Sequence, residues 1–405
     1  MEFFNLTEEE EVLIEVNNLS KIFGENPDKA ISLLNEGYTK NEIHEKTGQT
    51  VGLHDINFKV QKGEIFVLMG LSGSGKSTLL RCINRLIPPT YGEVYIEGED
   101  ITKMDMEQLR KIRREKLSMV FQNFALLPHR TVLDNVAYGL EVYGVEKEER
   151  YKASREAIET VGLKGYEESR ITQLSGGMQQ RVGLARALAT DPHFLLMDEA
   201  FSALDPLIRS EMQDELLALQ EQVHKTIIFV THDLDEALKI GDRIALMKDG
   251  MIVQVGTAEE ILTNPANQYV SQFIAGVDKS KVLTAESVMM NPEPVVSINS
   301  GPSVALQLMR EHGISSIFVV NKHKGLEGVV TVEDAAEARR NKKNLEDVII
   351  REYPTTTKDT QLKDIIPMIA ESSYPVAVVD DNNKLHGVLV RGGILGAIAM
   401  EEEEQ

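Results

Sequence analysis

Tryptophan is absent from this 405-residue chain, and aromatic residues make up only 5% of it. A bilayer-embedded protein usually carries an aromatic belt, so this scarcity argues against one. No stretch approaches the roughly 18 consecutive apolar residues of a spanning helix. The one cysteine, Cys82, excludes an internal disulfide and fits a reducing compartment. It reads as a small buried apolar residue rather than a reactive thiol. Met1 to Val12 is acidic and has no signal-peptide pattern, so the cytoplasm is the expected location. Basic charge is also short: 43 Lys and Arg stand against 64 Asp and Glu, a formal net charge of −21. No nucleic-acid partner is expected, because phosphate binding wants a basic face. The acidity reads as a solubility device.

What is present is a chain that is 42% hydrophobic, ordinary for a globular protein, and too long for one compact core. Residues 12–275 alternate short apolar runs with helical stretches. Ile65–Met69, Phe194–Met197 and Thr226–Val230 are such runs, bounded by turn signals. Runs of this kind predict strands buried on both faces of a mostly parallel sheet. Strands are expected at Val12–Val16 and near Ile56–Val60. Between them, about 25–50, a polar stretch has helical spacing at Ala30, Leu33, Leu34 and Ile43, and is read as a helical insertion. Residues 276–283 read as a linker. Beyond it the chain repeats at an offset of 59–60 residues, as counted from three pairs of matching segments. Val288-Met289-Met290 matches Val348-Ile349-Ile350, Ile317–Val320 matches Val376–Val379, and Gly328-Val329-Val330 matches Gly387-Val388-Leu389. Repeat one is placed at about 284–340 and repeat two at about 344–400. Glu401–Gln405 is an acidic tail, read as solvated.

Chemistry concentrates at Gly70-Leu71-Ser72-Gly73-Ser74-Gly75-Lys76-Ser77-Thr78, a G-x-x-x-x-G-K-[ST] loop that follows an expected strand. The glycines allow the backbone to turn tightly around phosphates, with N–H groups aimed at the anion beside a helix N-terminus. Lys76 is expected on the β and γ phosphates and Ser77 on Mg²⁺. Phe194-Leu195-Leu196-Met197-Asp198-Glu199 is a Walker B pattern: an apolar strand delivering Asp198 to the metal and Glu199 to the attacking water.

Leu174-Ser175-Gly176-Gly177-Met178-Gln179-Gln180-Arg181 resembles the signature motif of ABC (ATP-binding cassette) ATPases. Ser175-Gly176-Gly177 is physically another phosphate cradle opening a helix. The resemblance implies a head-to-tail dimer in which one copy's signature covers the other's γ-phosphate. It also identifies Gln122 as the Q-loop glutamine, contacting Mg²⁺ or water, and Ser202-Ala203-Leu204-Asp205 as the D-loop. His232 corresponds to the switch histidine, and Phe23 to the aromatic that stacks on adenine, with a core phenylalanine as its alternative reading. The implied catalytic set is Glu199, His232 and Gln122. The implied metal set is Ser77, Gln122 and Asp198. The nucleotide contacts are Phe23, Gly70, Ser72–Thr78, Ser175–Gly177 and Asp205.

The insertion, the stretch Met69–Ser77 and the stretch Met197–Arg209 resemble ATPase subunits of importers for glycine betaine, proline betaine and related osmolytes. Residues 284–400 resemble tandem CBS (cystathionine β-synthase) domains. The fold class expected is therefore α/β: a P-loop ABC-type domain over 1–275, then a smaller α+β tandem CBS module. Such pairs commonly bind adenosine nucleotides or cyclic dinucleotides, which implies an adenine nucleotide or cyclic di-AMP here. In the family, the residues matching Thr331 and Asp334 often hold ribose and phosphate. The second repeat has Val390 and Gly393 there, which argues against a conventional site in it. Arg339-Arg340-Asn341-Lys342-Lys343 is a basic cluster, read first as a solvated helix end and second as a contact with anionic lipid.

The expected protein is an ATPase at the cytoplasmic face of the membrane. It would power a permease that has a fused or separate substrate-binding protein, with regulation by ionic strength or a nucleotide. An amino-acid or polyamine importer, and a soluble ABC switch, remain open at this point.

Overall fold

The computed structural model describes residues 11–122 and 124–399. Asn123 and the acidic stretch 401–405 lie outside the described residues, as do residues 1–10. The chain divides into two compact units that meet in sequence at Ile274 and Ala275.

In the first unit the apolar runs form a six-stranded sheet. Its order is Met251–Gly256, Arg243–Lys248, Ile65–Met69, Thr226–Thr231, Phe194–Asp198, Leu117–Phe121. Five strands run parallel, and the edge strand Met251–Gly256 pairs antiparallel. Every residue of Ile65–Met69, Phe194–Asp198 and Thr226–Thr231 is buried, which explains why these runs show no alternation.

A second, antiparallel sheet was not expected from the sequence. It orders Thr50–Gln61, Val12–Phe23, Tyr91–Ile96 and Glu99–Asp100. Its two long strands exceed the expected segments because register shifts break their alternation around Val16, Leu19 and Lys21. Both sheets share one core, in which Phe58 stacks on Phe66 at 5.0 Å between ring centroids.

The insertion folds as two helices, Pro27–Asn35 and Lys40–Thr47. Phe23 pairs with Thr50 in register, so the insertion is a loop closed by its own flanking strands. Thr39 and Glu42 make a reciprocal capping box, and Gly48 ends the second helix at φ 71°. Ala30 and Ile43 bury against Ile22 and Val51, seating the helices on the sheet.

The second unit shows the expected repetition. Each repeat has a three-stranded sheet: Val295–Ser297, Ser316–Val320 and Leu326–Thr331, then Thr355–Thr356, Val376–Val379 and Leu385–Leu389. Each also has two longer helices, Pro302–His312 and Val332–Arg340, then Leu362–Glu371 and Arg391–Ala399. The arms exchange between repeats: Met290 pairs with Val388, and Ile350 with Val329. Gly328 and Gly387 lie under these arms; an added Cβ would fall 2.6 Å from Ile350 O or Met289 Sδ. The expected linker is folded over its C-terminal half. Lys279 and Ser280 are buried in a 3-10 turn, and Leu283 joins the apolar core around Leu362 and Ile365.

Candidate active site

The buried strand Ile65–Met69 delivers the chain into Gly70, whose φ is 150°. A Cβ there would fall 2.3 Å from Met247 O, so only glycine fits. Gly75, at φ 105°, is equally constrained: its Cβ would meet Gly52 O and Leu53 Cδ2. The helix Lys76–Ile83 then starts with its first N–H groups uncapped by any side chain. Ser72 and Gly73 are exposed, Ser74 is buried, and Ser77 and Thr78 are half-buried.

Lys76 is buried, and its Nζ donates to the carbonyls of Gly70 (2.7 Å) and Leu71 (3.0 Å). Burial pulls its pKa down, while Glu199 and Asp198 oppose that shift. An ammonium held by loop carbonyls is a cation ready for an anion.

Asp198 ends its strand 8% exposed and accepts from Ser77 Oγ at 2.8 Å. Arg81 Nη2 stands 3.8 Å from its other oxygen. Glu199 follows at φ 47°, a left-handed conformation that bulky residues rarely adopt. Its N–H donates to Val230 O at 3.0 Å, which holds the turn. The turn brings Glu199 Oε2 to 3.2 Å from Gln122 Nε2 and 3.3 Å from His232 Nδ1. Gln122 Nε2 also donates to Ser202 Oγ at 3.1 Å. Ser202 in turn donates to Glu199 O at 2.9 Å.

A cavity of about 460 Å³ lies elsewhere, in the second repeat; the cavity beside the loop Gly70–Thr78 measures about 330 Å³. Phe23, Thr50, Val51, Gly52, Ser72, Gly73, Gly75–Thr78 and Glu199 line the latter. Phe23 is 41% exposed, not a core residue, and its ring crosses Gly52, where a Cβ would fall 2.8 Å from it. Thr50, Val51 and Gly52 were not expected there; strand pairing across the insertion, Phe23 with Thr50, brings them to the cavity.

The donors fit Mg²⁺. Ser77 and Asp198 offer hard oxygens 2.8 Å apart, and Gln122 adds a carboxamide oxygen. Among the described residues no cluster of three or more His, Cys, Asp or Glu could hold a metal.

Ser175, Gly176, Gly177 and Asp205 are not among the cavity's lining residues. Ser175 caps the helix Gly176–Leu188, accepting from Met178 N. Asp205 caps Pro206–Val223, accepting from Ile208 N. Ser175, Gly176 and Asp205 are exposed.

In the second unit, Thr331 Oγ1 accepts from Asp334 N–H and donates to Asp334 Oδ2 at 2.6 Å. This pair caps the helix Val332–Arg340. Arg339, Arg340, Lys342 and Lys343 are exposed at its C-terminal end, where the helix dipole favours cations. The 460 Å³ cavity is lined by Tyr374, Val390 and Arg391 among others, although Val390 was the sequence's objection to a site there. Arg391 spends its guanidinium on the carbonyls of Ile369, Ala370 and Ser372.

The ABC transporter family model matches residues 53–202, and the CBS domain model matches 285–341 and 345–400. The glycine betaine transport ATP-binding protein OpuAA of Bacillus subtilis is 56% identical over 98% of this chain and 94% of its own length. The glycine betaine/carnitine transport ATP-binding protein GbuA of Listeria monocytogenes is 52% identical, over 96% and 98%. A solved dimeric ATP-binding cassette in a post-hydrolysis state with ADP and Pi is 34% identical, covering 61% of this chain and 99% of that one, with a TM-score of 0.51. Among the described residues no helix is long and apolar enough to cross a membrane. With the loop Gly70–Thr78, the carboxylates Asp198 and Glu199, and the side chains of Gln122 and His232 described, the chain belongs to the ABC transporter family, as an ATP-binding and ATP-hydrolysing transport subunit carrying tandem CBS domains.

Proposed function

We propose that this subunit powers import of glycine betaine or a related quaternary-ammonium osmolyte through a membrane permease. The observation that carries the reading is the match to glycine betaine transport relatives along 96–98% of the chain, insertion and CBS module included. The subunit sits peripherally on the cytoplasmic face of the membrane, and the solute is bound by the permease or its binding protein.

ATP occupies the cavity, with adenine on Phe23 and its phosphates in the loop Gly70–Thr78. Lys76 exchanges its two carbonyl partners for β and γ phosphate oxygens. Ser77, Asp198 and Gln122 hold Mg²⁺, which supplies charge neutralisation at the phosphates. Glu199, placed by its left-handed turn, accepts the proton of the attacking water, and His232 orients the γ-phosphate side. Ser175, Gly176, Gly177 and Asp205 serve the site of a second copy. The exposure of Ser175, Gly176 and Asp205, away from the cavity of their own chain, supports that arrangement.

The CBS module regulates the cycle, through ionic strength acting on Arg339, Arg340, Lys342 and Lys343 near anionic lipid, or through an adenine nucleotide or cyclic di-AMP. The capping pair Thr331–Asp334 is one place for such a ligand.

The experiment is ATP hydrolysis by the complex with its permease in anionic lipid, with saturating glycine betaine, titrated with salt. A steep rise with salt supports the cargo and the ionic switch. Activity that is flat and high keeps the cargo and moves regulation to a nucleotide. No activity at any salt overturns the cargo.

A further inference from the structure

One cation bridges the D-loop and the loop of the switch histidine. Arg209 rises from the first turns of Pro206–Val223, and its Nη2 donates to Leu204 O at 3.1 Å. Its Nη1 donates to Asp233 Oδ2, also at 3.1 Å. Leu204 directly precedes Asp205, and Asp233 directly follows His232. A single side chain therefore ties the backbone of one loop to the carboxylate of the other.

Both ends are held. Asp233 Oδ1 accepts from Glu236 N at 3.2 Å, and its own N–H donates to Thr231 Oγ1 at 3.0 Å. Its second oxygen is thus the one that Arg209 takes. Behind the pair, buried Gln213 donates to buried Glu236 at 3.1 Å, stitching Pro206–Val223 to Leu234–Ile240. A planar guanidinium fixes two acceptors at once, and its bond to a carboxylate is charge-assisted.

The other side of this bridge touches the signature. A Cβ on Gly177 would fall 2.7 Å from Ile208 Cγ2, and one on Gly176 3.5 Å from Leu204 Cδ2. The signature glycines rest on the same turn that carries Arg209. A displacement of the signature displaces Leu204 and Ile208 with it, because close-packed groups transmit strain.

We propose that Arg209 is a positioning residue that couples the half-site this chain offers a second copy, Ser175–Gly177 and Asp205, to the half-site it keeps, Glu199 and His232. The proposal rests on the two-copy reading above. When the signature engages the partner's nucleotide, Arg209 carries the shift to Asp233 and so to the adjacent His232, which stands 3.3 Å from Glu199. The two sites then act in register.

The test is steady-state ATPase of the full chain against ATP concentration, for the wild type, Arg209→Ala, Arg209→Lys and Asp233→Asn. Asn retains the helix cap and discards the charge, so Asp233→Asn isolates the bridge. A loss in kcat of about ten-fold is expected for Arg209→Ala and Asp233→Asn, as for other small misplacements of reacting groups. The Hill coefficient falls to about one, while binding of a fluorescent ATP analogue changes less than about two-fold. The double variant is no worse than either single one. Arg209→Lys recovers part of the rate, because it keeps the charge, but not the cooperativity. Wild-type kcat and Hill coefficient in Arg209→Ala overturn the proposal. So does a loss of nucleotide affinity in step with a lowered Tm, the mark of a purely structural role. If Arg209→Ala fails to fold, Asp233→Asn carries the same outcomes. Turnover per wild-type chain that stays constant on dilution would remove the two-copy reading, and the coupling with it. Concentration-dependent wild-type turnover with an insensitive Arg209→Ala would remove the coupling alone.

Discussion

His232 Nδ1 stands 3.3 Å from Glu199 Oε2, and the same carboxylate oxygen accepts from Gln122 Nε2 at 3.2 Å. Three loops that are far apart in sequence thus converge on one oxygen. A general base contributes roughly 100- to 10,000-fold to a hydrolytic step. Glu199→Gln is therefore expected to lower phosphate release by at least about 100-fold while ATP stays bound. Phosphate release and nucleotide retention, measured together, check it. Wild-type turnover in that variant would refute the base assignment.

Phe23 offers its ring beside the phosphate cradle, 41% exposed and crossing Gly52. Base–aromatic stacking contributes ~1–3 kcal/mol, so Phe23→Ala should weaken ATP binding by about ten-fold or more. Phe23→Tyr should retain affinity, since the ring face is kept. Titration of a fluorescent ATP analogue distinguishes the two variants, and equal affinities would place adenine elsewhere.

Gly70 has φ 150° and Met247 O lies 2.3 Å from where a Cβ would stand. Gly70→Ala must move backbone, not a flexible side-chain end. A cost of about 2 kcal/mol or more is expected, with loss of the Tm increase that ATP gives the wild type. Thermal unfolding with and without nucleotide reads both effects.

Lys40, in the insertion, donates from Nζ to Gly52 O at 3.3 Å. Burial lowers its pKa from 10.5 to about 8, against the attraction of Asp249. Between those two values the unfolded chain holds a proton that the native chain releases. Stability therefore rises with pH across that window through this group, and falls as pH drops through about 8. Urea midpoints of the wild type should rise with pH more steeply than those of Lys40→Met. The difference should be about 1 kcal/mol, reduced because the amine is partly solvated. Parallel profiles would show that the amine is not desolvated.

Cys82 is fully buried in the core shared by the two sheets, and burial pushes its thiol up to about 12. Since the thiolate is the reactive form, a thiol reagent should label the native chain only as fast as it opens. Labelling followed by mass spectrometry should track denaturant unfolding of the first unit; rapid labelling of the native protein would contradict this burial.

Motifs that must meet a phosphate have a fixed order and spacing, so the loop Gly70–Thr78, Asp198–Glu199 and Ser175–Gly177 were legible along the chain. So were the buried strands, because both of their faces are apolar, and the doubled module, because its repeats keep matching segments. The antiparallel sheet was mostly hidden, because its register shifts erase the alternation that announces a strand. Nothing local marks Thr50–Gly52 as a cavity wall, since that role depends on strand pairing across the insertion. Arg209 is likewise ordinary in sequence. It becomes a bridge only where packing of two helices brings Leu204 O and Asp233 within reach of one guanidinium. The sequence by itself determined where the Gly70–Thr78, Asp198–Glu199 and Ser175–Gly177 motifs stand, because such motifs depend on residue type and short spacing. Only the tertiary structure decided which loops share Glu199 and which residues hold them, because those contacts join segments with no fixed separation along the chain.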